Sequence, residues 1–176
     1  MGRWRRISAI SASVLLVAVW ILAAAPRARA DDNHLLVVGV GAFDIGAFQA
    51  NNKQTTAFVL EYRAGWNLWD VVHPVIGGLY TAKDSSFFYL GFVLDFKLTE
   101  HLYITPGFTP GIYSKGSGRD LGHDLEFRTV VEVSYRFKDA TRIGLSFYHM
   151  SNADLGKNNP GAETLQLNFA IPLNLF

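Results

Sequence analysis

His149, Ser151 and Glu163 are residues of this 176-residue chain whose types and spacing suit nucleophilic catalysis. A serine hydroxyl attacks poorly until a neighbouring base takes its proton, and that base works best when a third group fixes its tautomer. His149 and Ser151 are two residues apart. On a β-strand they share a face and stand roughly 7 Å from one another. Asn152 follows the serine directly and is the candidate to stabilise an oxyanion, with a backbone N–H among residues 153–156 as the candidate second donor. The opposing reading is a polar interfacial rim in which the same three side chains do no chemistry.

The flanking residues argue that these groups sit on strands. Ile143, Leu145 and Phe147 share the parity of His149 and Ser151, and Leu165, Leu167, Phe169, Ile171 and Leu173 share that of Glu163. Two alternating arms of this kind form a hairpin. Its apolar stripe is interrupted at one end by a base, a nucleophile and an acid. Ionisable groups on a face turned to hydrocarbon are costly and tend to be functional.

Period-2 alternation recurs through the chain. Phe88, Leu90, Phe92, Leu94, Phe96 and Leu98 oppose Tyr89, Gly91, Val93, Asp95 and Lys97, and Leu125, Phe127, Val131, Val133, Tyr135 and Phe137 oppose Glu126, Arg128, Glu132, Ser134 and Arg136. The pattern predicts strands over 35–49, 55–66, 71–82, 86–98, 102–114, 124–138, 142–152 and 162–174. Leu98 to His101 and Lys138 to Thr141 read as tight turns, whereas Ser114 to His123 and Ala153 to Gly161 read as long loops. Short turns on one side and long loops on the other are the habit of an eight-stranded antiparallel transmembrane β-barrel of the outer membrane. A soluble sandwich or lipocalin-like barrel also alternates, with its apolar face inward. The long Phe- and Leu-rich stripes and the interfacial position of Trp66 and Trp69 favour the membrane form. Glu61, Arg63, Asp95, Arg128, Glu132 and Arg136 then point into a narrow lumen, which their side chains fill without leaving a channel.

Residues 1–30 read as a secretory signal peptide: Arg3, Arg5 and Arg6 precede an apolar run from Val14 to Ala25, and Ala28-Arg29-Ala30 ends it. The remaining 31–176 form one domain. Five of the 16 basic residues and none of the 15 acidic ones lie in that leader, so the mature chain has eleven bases, fifteen acids and a net charge of −4. Nothing in that balance suits nucleic acid. Cysteine is absent, which excludes disulfides and thiolate chemistry. His34, His73, His101 and His123 show no mutual ligand spacing, so no metal and no cofactor is expected. Gly39-Val40-Gly41 lacks the following helix of a nucleotide loop and reads as close strand packing. Lys115, Arg119 and Lys157 fall in expected outer loops, where they are either solvated charge or contacts for phosphate.

The stretch His149-Met150-Ser151-Asn152-Ala153, followed by Asn159-Pro160-Gly161-Ala162-Glu163, resembles the signature of the PagL-type lipid A 3-O-deacylases, a family of acyloxyacyl hydrolases. The close resemblance runs from Phe147 through Pro172. It implies an eight-stranded outer-membrane barrel whose outer wall carries a His-Ser-Glu triad, with lipid A as substrate. By that resemblance His149 is general base, Ser151 nucleophile, Glu163 orienting acid and Asn152 the oxyanion residue. Met150 and Asp154 depart from the family pattern, and Asp154 bears on the second oxyanion donor. The expected function is therefore a cofactor-free serine esterase removing the 3-position acyl chain of lipid A. The alternatives are a non-catalytic structural or adhesive barrel and an outer-membrane phospholipase using the same triad.

Overall fold

The computed structural model describes residues 33–46, 53–66, 68, 69 and 71–173. The expected signal peptide, the far end of the first expected strand and Asn174, the last residue of the eighth, lie outside them. Nine β-segments follow in order: β1 (His34–Phe43), β2 (Thr55–Arg63), β3 (Val72–Thr81), β4 (Ser86–Leu94), β5 (Phe96–Lys97), β6 (Leu102–Ser114), β7 (Leu125–Arg136), β8 (Arg142–Ser151) and β9 (Ala162–Leu173). β4 and β5 are one stave interrupted at Asp95, since both pair with β6. Every neighbouring pair is antiparallel. β1 pairs with β9 and β4 with β6, which closes the sheet into an eight-staved barrel and leaves no free edge.

The parity expected from sequence is the parity of the walls. Phe88 is 69% exposed, Leu90 65%, Leu145 53% and Leu167 50%, an outer surface that only hydrocarbon accommodates at this extent. Trp66 and Trp69 are exposed beside the β2–β3 turn, where an aromatic girdle belongs.

Charge and amide fill the inside. The Arg63 guanidinium donates to both carboxylate oxygens of Glu132 at 3.0 Å and to Glu61 at 2.7 Å. Arg128 donates to the other Glu61 oxygen at 2.7 Å and lies over the Tyr89 ring. Toward the opposite end Arg142 binds Asp95 at 2.8 Å. Burying these ions is tolerable because each charge meets an opposite one and further hydrogen bonds. Arg136, expected inside with them, is half-exposed at the end of β7. Gly39 and Gly41 make room on the β1 wall. A Cβ on Gly39 would meet the Asn168 and Gln166 side chains at 2.4 and 2.5 Å, and one on Gly41 would meet the Leu165 carbonyl at 2.4 Å. This is the close strand packing read from the sequence.

The end of the barrel opposite the tight turns is closed by its own loops. Leu121, in the β6–β7 loop, is buried against a cluster that includes Phe43, Tyr113, Tyr148 and Met150. The lumen is thus occupied along its length, and any substrate site must lie on the outer wall or at the loop end.

Candidate active site

Strand register brings the site together. In the β8–β9 pair His149 stands opposite Glu163, and in the β7–β8 pair Thr129 stands opposite His149 and Phe127 opposite Ser151. The three expected residues therefore share the loop end of one face. The His149 Nδ1 and the Glu163 Oε1 lie 3.0 Å apart. Glu163 is fully buried, whereas the His149 side chain is 40% exposed. A buried carboxylate needs a partner, and the imidazole supplies it while presenting its other nitrogen outward. The second Glu163 oxygen, Oε2, has no hydrogen-bond partner.

Ser151 is half-buried at the last position of β8. Strand geometry sets it on the His149 face. No hydrogen bond joins its hydroxyl to another described residue, so the His149–Glu163 pair is closed while the Ser151 hydroxyl has no partner among the described residues. Catalytic hydrogen bonds commonly tighten only once substrate is bound.

Asn152 is fully buried, and its polar hydrogens are in use. Its Nδ2 donates to the Leu121 carbonyl at 2.7 Å and to the Asn158 carbonyl at 2.9 Å, while its backbone N–H donates to Asn159 Oδ1 at 3.1 Å. The side chain ties the β6–β7 loop to the β8–β9 loop behind Ser151. The two loops touch through glycine: a Cβ on Gly156 would meet the Gly122 carbonyl at 2.4 Å, and Gly122 has φ +90°.

Immediately after Asn152 the chain makes a tight turn. Ala153 and Asp154 have φ of 53° and 63°, and the Leu155 N–H donates back to the Asn152 carbonyl at 3.0 Å. Two successive left-handed residues closed by that bond form a type I′ turn. No described residue accepts the Ala153 or Asp154 N–H. Asn159 also steadies this turn, donating from Nδ2 to Asp154 Oδ1 at 3.1 Å.

Below the pair, toward the tight-turn end, a shallow apolar groove crosses the outer wall between Val38, Val40, Ile143, Leu167 and Phe169. Above it, the two long loops frame an open cup lined in part by His123, Lys157 and Asn159. Of the three loop cations considered for phosphate, Lys157 is exposed there. Lys115 is paired with Asp120 at 2.7 Å, and the mostly buried Arg119 lies 3.9 Å from Asp44.

Sequence reasoning missed three participants. Thr129 is a polar interruption of the β7 outer stripe beside His149, Asn159 is a loop amide that meets the Asn152 backbone, and Glu126 was read only as luminal parity. The break in the stripe at Thr129 was the one signal available beforehand. The contacts of Asn159 and Glu126 depend on how the loops fold.

Comparison with known proteins gives concordant results. A stretch of 72 residues, 40% of this chain, is 31% identical to the lipid A deacylase PagL of Bordetella bronchiseptica, of whose length the match spans 40%. The crystal structure of the outer membrane enzyme PagL superposes with a TM-score of 0.59 at 22% identity, over 79% of this chain and 99% of that one. Neisserial surface protein A superposes with the same TM-score at 8% identity, over 81% and 97%. These superpositions speak to the fold, an outer-membrane eight-stranded barrel. The family model described as lipid A 3-O-deacylase (PagL) matches residues 38–172. The chain belongs to that family.

Proposed function

We propose that this protein is an outer-membrane lipid A 3-O-deacylase in which Ser151 is nucleophile, His149 general base and Glu163 orienting acid. The observation that carries the reading is the closed His149–Glu163 pair on the lipid-facing wall, two residues along β8 from a serine whose hydroxyl has no partner among the described residues. Family membership supports the reaction class and the substrate.

The chemistry follows from the geometry. Glu163 accepts the Nδ1 proton of His149 and so leaves Nε2 as the basic nitrogen facing outward. Nε2 takes the Ser151 proton as Oγ bonds to the ester carbonyl carbon, whose oxygen takes up the negative charge. Collapse breaks the bond to the sugar oxygen, and the imidazolium returns its proton to that oxygen. Water, deprotonated by the same nitrogen, then attacks the acyl-serine and releases the carboxylic acid. No cofactor enters the balance.

For the oxyanion we assign the Ala153 and Asp154 N–H groups in place of the Asn152 side chain, because the Asn152 amide protons are held by loop carbonyls. Asn152 then acts by fixing the turn. The apolar groove beneath the pair suits the acyl chain and the loop cup suits the phosphosugar, an arrangement that keeps the ester at the boundary between them.

Mass spectrometry of lipid A incubated with purified protein tests the proposal. The expected result is loss of one 3-linked hydroxyacyl mass. Release of fatty acid from glycerophospholipid with lipid A untouched indicates the phospholipase alternative, and no product from either indicates a non-catalytic barrel.

A further inference from the structure

Glu126 is a buried acid that the triad does not use. It is fully buried, and neither carboxyl oxygen has a hydrogen-bond partner. Because Phe127 pairs with Ser151, Glu126 stands across from Asn152, the residue behind the nucleophile. The Asn152 Oδ1 is also buried without a partner. The Glu126 carboxyl and the Asn152 amide thus face each other with three buried acceptor atoms unpaired, while the nearest donor, the Asn152 Nδ2, is committed to the Leu121 and Asn158 carbonyls, a costly arrangement.

Among the described residues, none of the cations near this place is free to relieve it. On β6 the register partner is Gly111, which has no side chain, and its luminal neighbours are Thr109 and Tyr113. Tyr113 carries no positive charge, and its hydroxyl donates to the Arg119 carbonyl. From β8 come Met150 and Asn152, and from the covering loop comes Leu121. Arg128, two residues along β7, is bound to Glu61, and Arg119 lies against Asp44. A single proton on Glu126 resolves the deficit, since it converts one acceptor into a donor aimed at Oδ1.

We infer that Glu126 is a positioning residue, held as a neutral carboxylic acid that hydrogen-bonds the Asn152 amide and braces the turn after Ser151. Its effect on rate rests on the serine-esterase reading above. Its protonation and its effect on the turn do not. With Oδ1 anchored by Glu126, the Nδ2 bonds to Leu121 and Asn158 are fixed in direction, and the Ala153 and Asp154 N–H groups keep one orientation. Loss of the proton places a charge against Oδ1 and drives the two apart.

The test compares wild type with Glu126→Gln, whose amide can still donate, and Glu126→Leu, which cannot. Heat-modifiable gel mobility establishes that each barrel is folded. Infrared spectra at neutral pH are expected to contain a carboxylic-acid carbonyl band in wild type that Glu126→Gln lacks. Amide hydrogen exchange at 153–156 is expected to accelerate in Glu126→Leu and to stay slow in Glu126→Gln. In lipid A hydrolysis, Glu126→Leu should lose about tenfold in kcat with KM little changed, the factor that one misplaced hydrogen bond supplies. Glu126→Gln should restore the rate and extend it to more alkaline pH than wild type, with the acid limb unmoved. A missing acid band, or equal exchange in all three proteins, overturns the inference. If wild type proves inactive on lipid A, the esterase reading fails while the infrared and exchange results still decide the role of Glu126.

Discussion

The Nδ1 of His149 lies 3.0 Å from a carboxylate oxygen of Glu163 across a register pair of antiparallel strands, with the acid fully buried and the base open to the outside. That asymmetry orients the pair. The acid reaches only the ring, and the ring alone reaches out to the face where Ser151 stands.

Replacing Ser151 with Ala should abolish lipid A hydrolysis while leaving a heat-modifiable barrel, because removal of a half-exposed hydroxyl opens no cavity. Glu163→Ala should keep more activity, since orientation is lost and not the bond-forming atom. Losses of roughly six orders of magnitude for the serine and about four for the acid fit such units, and combining them should not add the effects. A folded Ser151→Ala protein hydrolysing near the wild-type rate would eliminate the mechanism.

Replacing His149 with Ala should remove most of the lipid A hydrolysis, because an unassisted serine hydroxyl keeps its proton. Single-turnover rates, with chemistry rate-limiting, measure this. A folded variant that keeps the wild-type rate argues against His149 as base.

Stability should depend on the lumen and the wall in different ways. Glu132→Ala removes two of the three carboxylate bonds of Arg63 and one bond of the Asn168 amide, and should cost about 3 kcal/mol. Leu145→Arg, on the lipid face, should cost about 2–4 kcal/mol if that position lies near the bilayer midplane. Urea unfolding in lipid vesicles reads both. A Leu145→Arg variant unfolding like wild type would place that face outside the membrane.

The loop that carries Leu121 should loosen in acid. Lys115 and the Gly122 N–H hold the Asp120 carboxyl below the usual aspartate range. Its contribution is present above the ordinary aspartate pKa and is lost as pH falls through the lowered one. The pair is exposed, so the effect is local. The exchange protection of Gly122, measured against the intrinsic rate at each pH, should fall in acid, and Asp120→Asn should show the lower protection already at neutral pH. Equal exchange in both proteins at neutral pH would remove Asp120 from the account.

The architecture was legible because a barrel wall has one rule. Side chains alternate between lipid and lumen, so the parity of Leu145 or Arg128 assigned its face directly. The second expected strand runs past its observed end at Arg63, because the apolar residues Ala64 and Trp66 continue the chain into the turn without pairing as strand. His149 and Glu163 were also legible, since register follows from a hairpin. Asn152 was legible as the residue following Ser151, but the destination of its amide was not. That depended on Leu121 and Asn158, which reach it through loops with no periodicity. Glu126 stayed hidden for the same reason, since alternation marks a residue as inside without saying what it meets there.

The filled lumen has a kinetic consequence. With arginine, glutamate and amide side chains occupying the interior and Leu121 over the end, the proposed nucleophile Ser151 is approached from the plane of the bilayer. Encounter is then a two-dimensional search, and the governing concentration is the mole fraction of substrate among surrounding lipids. Diluting the whole membrane in buffer should leave turnover per enzyme unchanged, while adding inert lipid to the same membrane should slow it.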